Sequence, residues 1–243
     1  MKQTLLIIFI LLGAWSGVNY GQVVINTNPS TYTYSTSGIG VISSYTYVTG
    51  KFYLCVHMRV DATTPADFTM SGTSSTWTEI ANVTGVTTGT NLFRIKAWRY
   101  APASDVTEAL SFSDAALSDG SIVVLWEITG VITTGANGAD AIVQVVTDAQ
   151  DADADPTITM AALNAKNSVV AFFGNNVNPF GATPESGWTE LSENGFNTPT
   201  TGGVFLSRHR TSDNTPSVTA SASDWVGVAF ELNAINRRSV IVN

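Results

Sequence analysis

The run FYLCVHMRV at 52–60 sets Phe52, Leu54, Val56 and Met58 on one side and Tyr53, Cys55, His57 and Arg59 on the other. A period of two is what a β-strand presents to its surroundings. LFRIKAWRY at 92–100 repeats it, with Phe93, Ile95 and Ala97 facing one way and Arg94, Lys96 and Trp98 the other. SIVVLWEI at 121–128 and SVVAFFG at 168–174 are continuous apolar runs, the pattern of strands covered on both faces. Clusters of Gly, Asn, Pro and Asp separate these runs as turns, and beyond the first 21 residues no stretch carries helical spacing. The chain is therefore expected to be all-β and antiparallel.

The halves of the chain repeat an order of features. WTEI at 77–80 and WTEL at 188–191 each follow an apolar strand and a Pro-containing loop, and each precedes a basic strand, a Ser/Thr-rich strand and a final apolar strand. Trp77 pairs with Trp188, Glu79 with Glu190, Phe93 with Phe205 and Glu127 with Glu231. The first copy is placed at 36–132, a connector at 133–154 and the second copy at 155–236. Two copies of about six short strands can bury their apolar faces only in packed sheets, so the expectation is a β-sandwich of jelly-roll character. A unit of about 80 residues has a small core, which favours one domain over 22–243 with a pseudo-two-fold.

Polar positions are filled by Thr, Ser and Asn rather than by charge: only 12% of the 243 residues are Asp, Glu, Lys or Arg. The net charge of -8 argues against a nucleic-acid partner, because that affinity comes from Lys and Arg neutralising phosphates. Cys55, the sole cysteine, has no disulfide partner within the chain and reads as a buried thiol. At the start, Lys2, the apolar run Leu5 to Trp15 and the small residues before Gln22 have the form of a signal peptide over 1–21. An uncleaved leader is the alternative and the one membrane contact expected, the run being short for a span. The mature chain is expected to be secreted or held at the cell surface.

PESGWTEL at 184–191 and its surroundings, with SASDWVGVAFEL at 221–232, resemble a diverse family of duplicated β-sandwich proteins of phage virions and of bacterial secreted or surface proteins. Members carry P-x-G-W-T-x-L and an S-A-S-x-x-W-x-x-V ending. The resemblance covers about 36–236, and the first copy departs from it with SSTWTEI at 74–80. It implies structural, decoration or adhesion work without catalytic residues. The virion is the alternative location.

A hydrolase triad would have only His57 and His209 as bases, and no nucleophile elbow is present. One cysteine and two distant histidines do not make a zinc set. The repeated glutamates could serve a secreted glycan hydrolase only if two of them flanked one bond. The WTE tryptophans read as core anchors, with stacking on a sugar as the alternative. Trp98, with Arg94 and Lys96 on its face, is the candidate ligand-binding patch for a glycan or protein surface. TDAQDADADP at 147–156 matches the first acidic positions of a calcium loop but has Pro156 where that loop needs Gly and Ala162 where it needs Glu. Asp151, Asp153 and Asp155 are therefore candidates for a looser calcium site, against a solvated connector. The strand-like ends QVVIN and RRSVIVN could dock in cis or add to a neighbour's sheet, giving a homo-oligomer.

Overall fold

The computed structural model describes residues 22–34, 41–61, 65, 67–85, 92–114, 120–175, 180–197, 200–209 and 211–235. The leader at 1–21 and the terminal run RRSVIVN lie outside them. In the first half the strands are β1 (Val24–Tyr34), β2 (Val41–Tyr47), β3 (Phe52–Asp61), β4 (Phe68–Ser71), β5 (Thr78–Thr84), β6 (Leu92–Tyr100), β7 (Val106–Asp114) and β8 (Gly120–Thr129). In the second they are β9 (Ile142–Asp153), β10 (Ser168–Asn175), β11 (Thr183–Pro184), β12 (Thr189–Asn197), β13 (Thr200–Arg208), β14 (Val218–Thr219) and β15 (Ser223–Leu232). The one helical turn among the described residues is a 3-10 turn, Ala139–Ala141, and no helix there is long and apolar enough to cross a membrane.

All the strand pairings are antiparallel. One five-stranded sheet runs β1-β8-β3-β6-β5 and the other, read from the opposite edge, β9-β15-β10-β13-β12. Each sheet therefore begins at an edge with the first strand of its half, pairs that with the last, and continues in the same sequence of places. A smaller sheet, β2-β7-β4, lies outside the first, and the pair β11-β14 outside the second. Thr157 bridges to Ser217 beside β14.

The alternation read in the sequence explains the layering. Phe52, Leu54, Val56 and Met58 of β3, with Phe93, Ile95, Trp126 and Ile128, share one buried cluster with Val170, Phe172, Phe205, Val226 and Phe230 of the other half. The two large sheets thus meet face to face across a common core. Phe172 and Phe205 lie 4.3 Å apart, and the Trp126 ring meets Phe205 edge-on at 5.0 Å. Glycine permits the closest approach: a Cβ on Gly174 would come within 2.1 Å of Met58 Sδ. The opposite faces are also apolar. Tyr53, Cys55, Trp98, Val123 and Leu125 pack under Ile42, Phe68, Leu110 and Phe112 of the small sheet. Val169, Ala171, Phe173, Leu206 and Trp225 pack under Ile158, Met160, Phe180 and Val218.

One expectation is corrected here. Residues 142–153, most of the stretch expected to be a connector, form β9, hydrogen-bonded along β15 from Leu232 to Ser223. TITMA at 157–161, which follows, makes one bridge at Thr157 while Ile158 and Met160 plug the outer core. At the N-terminal end, β1 docks in cis on β8, with Ile25 opposite Ile128.

Candidate functional site

Between β4 and β5 the chain turns through Gly72 to Trp77 and leaves a depression of about 470 Å³ on the first half. Ser71, Thr73, Ser74, Trp77, Glu79 and Trp98 are among the residues that line it. Its rim is fastened to β7 by one carboxylate. Glu108 accepts hydrogen bonds from the Thr73 hydroxyl, the Ser74 amide at 2.9 Å, the Ser74 hydroxyl at 3.0 Å and the Ser75 amide at 3.2 Å. Partial burial would raise this carboxyl, but the donors from Ser75, Thr73 and Ser74 outweigh it and hold Glu108 below the usual carboxylate range.

Asn137, from the segment joining the halves, fixes the other side of the turn. Its amide donates to Thr76 O at 2.7 Å, Thr78 Oγ1 at 3.0 Å and Arg99 O at 3.1 Å, and its oxygen accepts from Ala101 N at 3.1 Å. These bonds repay the left-handed backbone of Asn137, φ 53°. Trp77, half-buried, lies on Tyr100 at 5.0 Å with 32° between the rings and meets Tyr47 edge-on at 5.5 Å. Lys96 Nζ sits 2.7 Å from Asp67 and 2.8 Å from the lining residue Glu79, and Arg94 reaches Asp67 at 2.9 Å. The hydrogen bond from Lys96, partly offset by desolvation and reinforced by the Lys96 charge and by Arg94, holds the Asp67 carboxyl below its ordinary value.

The proposed patch of Trp98, Arg94 and Lys96 is placed on one face as expected, but that face is covered. Trp98 is 3% and Lys96 2% exposed, because Phe68 and Phe112 of the small sheet pack on the indole at 5.9 and 5.5 Å. Of the three, Trp98 lines the depression, while Lys96 and Arg94 are held on the same strand face by Asp67 and Glu79. Trp77, which the sequence reading took for a core anchor, is the indole left partly open.

In the second half the corresponding place is closed. Trp188 stands before β12 as Trp77 stands before β5, but it is 7% exposed and has the Arg208 guanidinium over its ring at 5.8 Å. Arg208 is held there by Asp213 and by Ser186 O at 3.4 Å. The repeated WTE thus builds an open indole in one half and a capped one in the other.

The later repeated glutamates have structural partners. Glu127 accepts from Lys51 at 2.8 Å, Tyr45 at 2.8 Å and Tyr53 at 3.2 Å; burial would raise it, but these donors bring it below its usual value. Glu231 accepts from Gln144 at 2.7 Å, Asn167 Nδ2 at 2.7 Å and Asn164 N at 3.0 Å. Their strand neighbours Trp126, Ile128, Phe230 and Leu232 all enter the common core, so the two glutamates point outward from opposite sheets. With stacked sheets about 10 Å apart between them, they cannot flank one glycosidic bond.

Asp148, Asp151 and Asp153 of the acidic stretch are spread along an edge strand, with Asp155 just past its end. Asp153 accepts from Trp225 Nε1 at 3.3 Å and from Asp155 N at 3.0 Å, Asp148 accepts from Ala149 N at 2.8 Å, and Asp151 and Asp155 are exposed. Among the described residues no three His, Cys, Asp or Glu side chains gather as a metal would require. Cys55 is fully buried, and burial pushes its thiol up. His57 is buried between Phe68 and Phe112, each 4.5 Å away; burial, helped by the Arg59 charge, drives it well below its ordinary value.

No family model, curated protein or solved structure matches this chain.

Proposed function

We propose that this is an exported, non-enzymatic β-sandwich protein, built from two copies of one jelly-roll unit, that works as a structural or adhesive component of a surface. The observation that carries this reading is the four-layer architecture, in which two sheets with the same sequence of strand places share one core and each carries its own outer cover. The order β1-β8-β3-β6 in one layer with β2-β7-β4 in the other supports a jelly-roll winding, with β5 added beside β6. Charged groups inside the layers are committed to holding them together, as Glu127, Glu231 and Lys96 are. A rigid block of this kind, with a Ser/Thr-rich depression on one half, suits contact with a glycan or protein partner.

Surface biotinylation of intact cells expressing the full chain, followed by intact-mass measurement, tests the reading. Labelled protein lacking Met1 to Gly21 is the expected result; unlabelled protein confined to the cytoplasm contradicts it. The jelly-roll winding also favours a second reading, a virion decoration or fibre protein, since viral capsid domains use the same winding. Recovery of the chain in purified particles would select it.

A further inference from the structure

We infer that the depression beside Trp77 is a binding site for a neutral oligosaccharide of pyranose sugars. The inference rests on the surface-protein reading above and adds the ligand class. It starts from which groups around the depression are already engaged. Lys96 is spent on Asp67 and Glu79, and Arg94 on Asp67, so these two basic groups are not left over to receive an anion. Thr73 and Ser74 donate their hydroxyl protons to Glu108; the Thr73 oxygen also accepts from Ser75 N, and the Ser74 oxygen brings acceptor lone pairs to the rim. Glu79, with its side chain 39% exposed, adds a carboxylate acceptor where it meets Trp98 across the β5–β6 pair.

The lining is therefore rich in acceptors and low in uncommitted positive charge. Its complement is a ligand that offers many hydrogen-bond donors and no negative charge. Trp77 adds the apolar element: a half-buried indole, held in orientation by Tyr100 and Tyr47, suits the C–H face of a sugar ring. A pyranose presents both, hydroxyl donors around its edge and a C–H face. The volume of about 470 Å³ lies within the range of small-ligand sites.

The second half supplies the contrast. There Arg208 lies over the ring of Trp188, occupying with a cation the indole that Trp77 leaves partly open. Trp188 is also more deeply covered. The site accordingly belongs to the first half alone.

Affinity electrophoresis of the full chain through gels containing mannan, xyloglucan, galactomannan or mixed-linkage β-glucan, with carboxymethyl dextran as the acidic comparison, tests the proposal. Retardation by at least one neutral polysaccharide is expected, weakened tenfold or more in Trp77→Ala and in Glu79→Gln. Thr76→Tyr, a change at an exposed rim position whose side chain takes no part in the bonds to Glu108, should block it equally while leaving the thermal unfolding midpoint in place. Retardation by none of the neutral polymers, by the acidic polymer alone, or to the same extent in all three variants overturns the proposal. Surface-labelled protein that no polysaccharide retards would overturn this inference and leave the surface reading standing.

Discussion

His57 shows what a single buried group does to the whole chain. Neither ring nitrogen has a hydrogen-bond partner, and the imidazole is held neutral between two phenylalanines. The unfolded chain takes up a proton near pH 6.5 that the folded chain refuses, so His57 adds no pH-dependent cost above that pH and destabilises progressively below it. Between pH 6.5 and 5 the loss should approach about 1.4 kcal/mol per pH unit. Urea titrations of His57→Phe should show a flatter pH dependence over this window than the wild type. His209, also lowered by burial, retains part of the slope. Ala152 is a second residue under constraint, with φ 50° at the bulge where β9 gains one residue on β15, and its side chain is exposed. Ala152→Gly should stabilise by about 0.5–1 kcal/mol, read as a higher melting temperature, since a side chain in the left-handed region costs about 1–2 kcal/mol and Gly returns part of that as chain entropy.

Among the elements, β9 shows most clearly where the sequence was legible and where it was not. Period two in β3 and β6 and apolar runs in β8 and β10 announce strands that other strands cover. An edge strand has no such requirement on its outer side, and the Asp148, Asp151 and Asp153 that made β9 read as a connector suit an edge that must not recruit another chain. Asp148→Thr combined with Asp151→Val should promote association through this edge, visible as a higher mass in light scattering than the wild type gives at the same concentration. Trp98 illustrates the converse: its side of the strand was legible, but its cover was not, because β4 and β7 interleave Phe68, Leu110 and Phe112 with Thr, Ser and Glu. The depression was the least legible feature, since its rim depends on Glu108 meeting Thr73 to Ser75 from more than thirty residues away. Glu108→Gln should weaken these charge-assisted bonds and cost about 1–3 kcal/mol in chemical denaturation. Wild-type stability owed to Glu108 is present above the ordinary glutamate pKa and is lost as pH falls through its lowered folded value.

For the molecule as a whole, the shared core decides how it unfolds. Phe172 stands in a cluster that draws on both large sheets, so Phe172→Ala should cost about 3–5 kcal/mol and lower one common transition rather than split it. Calorimetry resolving two transitions with only one displaced would contradict this. The capping of Trp188 by Arg208 also bears on valency. Under the site proposed beside Trp77, each chain offers a single contact. Firm attachment would then have to come from the number of chains displayed together, because linked weak contacts hold through effective concentration where a lone one lets go.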